Sequence, residues 1–128
     1  MDETDRLRRE LHEAFAHRAH LYRLILAELT NELGADRAQT MMARVLERRG
    51  WEVGASLFNG LHGDPVAVGR RFLSISPDEG RMYPNEAEYG ADHCSFRVHR
   101  CPLKDTWQQS GLQDQDVATL CRLAGAFD

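Results

Sequence analysis

The stretch His93-Cys94-Ser95-Phe96-Arg97-Val98-His99-Arg100-Cys101-Pro102 decides the fold class. Elsewhere in the chain apolar residues recur at the helical period. Here they alternate, which is the pattern of a half-buried strand. Alternation places Cys94, Phe96 and Val98 on one face, and His93, Ser95, Arg97, His99 and Cys101 on the other. The apolar set should pack on helices, so the polar set faces solvent or a cleft. Pro102 ends the strand. One such strand in a helix-rich chain predicts an α+β protein with a small antiparallel sheet.

Upstream, Arg81 to Tyr89 is expected to pair with this strand in a hairpin turning at Gly90-Ala91, with Pro84 marking an edge. Downstream, a short helix is expected from Leu103 to about Ser110, closed by Gly111. Asp114 can cap a last helix with Val117, Leu120, Cys121 and Ala124 inward. That helix is expected to be still running at Phe127-Asp128, with no closing glycine and no basic last turn.

The N-terminal half reads as helical. A long first helix is expected from Glu3 to Leu33, capped by Asp2 or Thr4 and stopped by Gly34. Leu7, Leu11, Ala14, Phe15, Leu21, Tyr22, Ile25, Leu29 and Leu33 form its apolar face. A second helix is expected from Asp36 to about Arg49, with Ala38, Met41, Met42, Val45 and Leu46 inward and Gly50 ending or bending it. Trp51 to Leu61 reads as a looser third helix, and Asp64-Pro65 as cap and first residue of a short fourth. Ser76 to Gly80 is turn chemistry. The expected architecture is a mostly helical N-terminal half packed on the small sheet, with C-terminal helices, in a single domain of residues 1–128.

Bulk properties narrow the function classes. A chain of 128 residues can bury a core without disulfide staples. A formal net charge of -4 argues against binding nucleic acid by phosphate neutralisation. No apolar run approaches the roughly 20 residues that span a bilayer, and the charged N-terminus carries no signal-peptide pattern. The expectation is a cytoplasmic protein with no membrane and no nucleic-acid partner. Three cysteines without a Cys-x-x-Cys pair read as thiols.

Several residues carry chemical interest. Arg18 falls inside the apolar face of the first helix, between Phe15 and Tyr22. A guanidinium there needs a partner: an internal acid, an escape to the rim, or the carboxylate of a small ligand. Glu13, His17 and His20 have the helical spacing of a metal site but sit among charged neighbours, so a solvated polar face is expected instead. His99 beside Cys101 allows a thiolate paired with a base, and Arg97 and Arg100 favour the thiolate form. The competing reading makes the cysteine a small apolar filler and the basic face simply solvated.

The order Phe96-x-Val98-x-Arg100-Cys101-Pro102, Trp107, Gly111-Leu112, Asp114 and Asp116, Cys121 and Asp128 resembles the L-2-amino-thiazoline-4-carboxylic acid hydrolase family. The long first helix with a mid-helix tyrosine, the glycine break and the alanine-rich second helix are similar in layout. The resemblance implies hydrolytic opening of a small cyclic amidine that bears a carboxylate, giving an N-carbamoyl amino acid in named members. It implies Cys101 and Cys121 as the thiols to test, with Arg100 and Asp128 in support. His99 would be the proton shuttle, and Arg18 or Arg97 would hold the substrate carboxylate. Family members run on past the equivalent of Asp128, so the expectation is a shortened relative, a pocket completed by a partner chain, or a sequence that continues. The alternative function is a non-catalytic helical binding module, as a homodimer or as one subunit of a complex. A third reading makes Cys94, His99, Cys101 and Cys121 ligands of a soft metal; no other cofactor is expected.

Overall fold

The computed structural model describes residues 2–128, which form an α+β protein. The elements are α1 (Glu3–Leu33), α2 (Ala35–Leu57), α3 (Pro65–Ser74), β1 (Asn85–Tyr89), β2 (Cys94–Val98), α4 (Pro102–Gln109) and α5 (Asp114–Ala124). They fall into two compact units. One comprises the chain up to Glu52 together with Pro102–Asp128, the other Val53–Cys101.

In the first unit, α1 has the expected bounds. The Asp2 carboxylate accepts the Asp5 backbone N–H at 2.8 Å, and Gly34 at φ 83° ends the helix. Its buried side differs from the expected stripe. Ala19 is fully buried, whereas Leu7, Leu21 and Ile25 are exposed. The cause is α4. Pro102 starts that helix, and Leu103 and Trp107, one turn apart, are buried on its inner side. A small residue at 19 lets the indole approach α1 closely enough for Nε1–H to donate to the Ala19 carbonyl at 2.8 Å. A buried indole needs such an acceptor, and a residue of this size is worth about 3–5 kcal/mol against truncation. Met42, Leu46 and Leu123 make a second knot, flanked by Tyr22, Leu26 and Ala126.

The glycine break expected at Gly50 is absent: α2 runs unbroken through Gly50 and Gly54 to Leu57, so no separate helix begins at Trp51. Gly50 serves close approach instead. A Cβ at that position would collide with the backbone carbonyl of Phe127. Met41 and Val45, expected inward, are exposed, and Ala38, Met42 and Leu46 carry the contact face.

The last helix also departs from expectation. Gln113 rather than Asp114 is the flanking residue and makes no side-chain cap, while Asp114 and Asp116 favour the positive end of the helix from its first turn. Gly125 does close α5 and Arg122 lies in the last turn, so the helix stops at Ala124 and a 3₁₀ turn covers Gly125–Phe127.

In the second unit, the Asp64 carboxylate accepts the Ala67 N–H at 3.0 Å and Pro65 opens α3, as expected. Strands β1 and β2 pair antiparallel from Asn85↔Val98 to Tyr89↔Cys94. The connection is four residues, with the Gly90 N–H bonded to the His93 carbonyl at 2.8 Å, wider than a turn at Gly90-Ala91. Phe96 stacks on Phe72 of α3 at 5.2 Å. Cys94 packs where Gly69 leaves no room for a side chain. Cys94 and Phe96 thus meet α3 as alternation requires, but Val98, expected on the same inward face, is 44% exposed and Phe96 is covered on one side only.

Candidate functional site

In the first unit, two residues chosen on separate grounds come together. Arg18 stands out by its place on α1, Asp128 by the order of residues near the end of the chain. The Arg18 guanidinium carbon lies 5.9 Å from the Phe15 ring, 5.4 Å from Tyr22 and 5.8 Å from Phe127. Phe15 and Tyr22 flank Arg18 by one turn of α1, so helix geometry alone supplies two of the rings. The third arrives because Gly50 admits the Phe127 carbonyl against α2. Arg18 Nε donates to the Tyr22 hydroxyl at 3.0 Å, which sets the plane of the guanidinium. Asp128, exposed as a whole residue, has its carboxyl partly withdrawn from water. Burial raises its pKa above the usual aspartate value, and the opposing pull of Arg18 does not cancel that.

Cys121 is half-buried on α5. It lines an open hollow with Lys104, Gln108, Asp114, Val117 and Ala118. Of the inward set expected for this helix, Val117 and Leu120 are buried, with Leu123 joining them.

In the second unit, β2 ends at Val98, so His99 and Cys101 lie beyond the last strand residue. Strand parity therefore does not set their common face. The backbone N–H of His99 donates to the Pro84 carbonyl at 2.7 Å, and its Nε2 lies 3.6 Å from the Glu86 carboxylate. Glu86 sits opposite Arg97 in the register, diagonal to His99. Glu86 is not apparent from the sequence, because its place beside His99 follows from strand pairing, and that pairing is fixed only once the turn length is known. Cys101 is half-buried and immediately precedes α4. Arg97 and Arg100 are exposed beside it in the chain. Cys94, Cys101 and Cys121 are all thiols.

Two members of the metal-spaced trio of α1 are engaged elsewhere. Glu13 pairs with Arg9 at 3.9 Å, and His20 Nδ1 accepts from Arg23 Nε at 3.0 Å. Among the described residues, no three His, Cys, Asp or Glu side chains are grouped to hold a metal ion. Nor is any helix among them long and apolar enough to cross a membrane.

The family model of L-2-amino-thiazoline-4-carboxylic acid hydrolase matches residues 13–128, nearly the whole chain. No curated protein and no solved structure gives a significant match.

Proposed function

The chain belongs to the L-2-amino-thiazoline-4-carboxylic acid hydrolase family, and from that membership we propose that it hydrolyses a small cyclic amidine bearing a carboxylate. The match over residues 13–128 carries the reading. Support comes from the Arg18–Asp128 cluster, which gathers a cation, a carboxyl and three aromatic walls.

In the proposed mechanism the Cys101 thiolate adds to the C=N carbon, and the ring nitrogen takes up a proton. The bond from that carbon to the departing ring heteroatom then breaks, with a proton delivered by His99. Water then displaces the thiolate: one of its protons restores His99, the other returns to solvent to balance the proton taken up by the ring nitrogen, and its oxygen becomes the carbonyl, so one water is consumed and the ring is opened. Glu86 orients the His99 imidazole in this scheme, as a third group orients the base in other nucleophilic sites. Cys121 is the second thiol of the proposal, with Arg18, Arg97, Arg100 and Asp128 as substrate-binding residues.

The test is turnover of 2-amino-thiazoline-4-carboxylic acid by Cys101→Ala and Cys121→Ala variants whose melting matches wild type. Loss of at least two orders of magnitude in kcat for Cys101→Ala is expected, on the order of what removing a catalytic nucleophile costs. Full turnover in both variants would remove the thiol mechanism. Activity lost on chelation and restored by a soft metal would instead favour Cys94, His99, Cys101 and Cys121 as ligands.

A second reading has its own observation. Leu7, Leu21, Leu24 and Ile25 of α1 are all exposed by 44% or more. An exposed apolar helix face suits an interaction module, and we propose a homodimer or a second subunit as what covers it. The proposed compartment is the cytoplasm, in keeping with three unbridged thiols.

A further inference from the structure

Resting on the hydrolase reading for its choice of ligand, we propose that Arg18 and Asp128 form a two-charge recognition site for a small zwitterion, walled by Phe15, Tyr22 and Phe127. The guanidinium takes the ligand carboxylate, and Asp128 takes its planar amidinium cation.

Three observations carry this. First, among the described residues the one hydrogen bond of Arg18 runs from Nε to Tyr22, so the terminal Nη1–Nη2 edge has no protein acceptor. That edge is the fork that matches a carboxylate in two parallel hydrogen bonds. The rings hold the guanidinium in place without using its donors.

Second, Asp128 lies close enough to Arg18 for the two charges to influence each other, yet they form no direct ion pair among the described residues. A ligand with opposite charges at its two ends can bridge such a gap, and its cation would meet the carboxyl. Aromatic faces nearby suit a flat, delocalised cation.

Third, the position of Asp128 is fixed by α2. The Phe127 carbonyl is seated at Gly50, and the Asp128 N–H bonds back to the Gly125 carbonyl at 3.2 Å. The last turn is thus anchored on both sides of its aromatic ring, which makes Asp128 a placed group.

The experiment is calorimetric binding of three probes to the intact chain: 2-amino-thiazoline-4-carboxylic acid, the acid lacking the amino group, and 2-amino-thiazoline lacking the acid. The full zwitterion should bind about tenfold or more tightly than either half, the size of one charge-assisted contact. Asp128→Asn should erase the advantage over the acid-only probe while leaving that probe's affinity unchanged. Arg18→Gln should erase the advantage over the cation-only probe, and Arg18→Lys, which keeps the charge but loses the fork, should fall between. Tighter binding of both acids by Asp128→Asn would show that Asp128 competes for Arg18, and would overturn the proposal. Equal affinities for the three probes in wild type, or a uniform loss in either variant, would overturn it too. Turnover is read separately. Charge-selective binding without ring opening removes the hydrolase reading and leaves this site standing; ring opening by charge-blind variants does the reverse.

Discussion

Asp128 ties the stability of the fold to pH. The native pKa of Asp128 is raised, burial outweighing the pull of Arg18, so the folded protein holds this proton more tightly than the unfolded chain does. The stability attached to the group is therefore full below the ordinary aspartate value of about 3.9, and it is lost as pH rises through the raised value. Asp128→Asn cannot ionise and escapes that loss. Melting temperatures of wild type and variant should lie closest at acid pH and separate as pH rises through the raised value, with the variant higher. A difference that stays constant or changes sign would remove the account. Of this cluster, Arg18, Phe15 and Tyr22 were legible from helical spacing. Phe127 was not, because its approach depends on Gly50, some 77 residues away in the chain, and glycine in a helix reads as a break until the neighbouring backbone is known.

Within α2, the two glycines differ in what a side chain would meet. Replacing glycine by alanine inside a helix ordinarily stabilises it by about 0.5–1 kcal/mol. Gly54 fits this rule, since a Cβ there meets only the Phe58 ring at 3.7 Å, an ordinary contact. Gly50 does not, since the obstacle is the Phe127 backbone, which cannot rotate away as a side chain can. Denaturant unfolding should show Gly54→Ala more stable than wild type and Gly50→Ala less stable, the two changes having opposite signs in one helix. Gains of equal size in both would mean that Phe127 is not seated on α2. The other elements divide in the same way. The start of α3 was legible because Asp64-Pro65 writes its cap locally. The ends of β2 and α5 were misplaced because long-range pairing and the 3₁₀ turn at Gly125–Phe127, not local propensity, set them.

At the scale of the whole molecule, the apolar stripe of α1 was legible but its use was not. Periodicity says that one side of a helix avoids water; it does not say whether the covering surface lies in the same chain. Ala19 and Tyr22 turn toward α4 and the Met42–Leu46–Leu123 knot, while Leu7, Leu21, Leu24 and Ile25 stay exposed. From Leu7 to Ile25 the stripe runs about 27 Å along the helix at 1.5 Å per residue. A second copy laid along such a stripe can approach the roughly 800 Å² per partner of a standard interface. Light scattering of wild type should therefore give about twice the 14.6 kDa of one chain. A Leu21→Glu/Ile25→Glu variant should halve that mass. Because both side chains are already exposed by 44% and 46%, the substitutions should alter the stability of the single chain only slightly, by about 1 kcal/mol or less. A wild type that scatters as one chain would assign the stripe to a different subunit. A variant that remains dimeric would move the interface off α1. The Arg18 cluster lies on the same helix, so the variant also decides whether ligand affinity depends on the second copy: unchanged binding in the halved species places recognition within one chain.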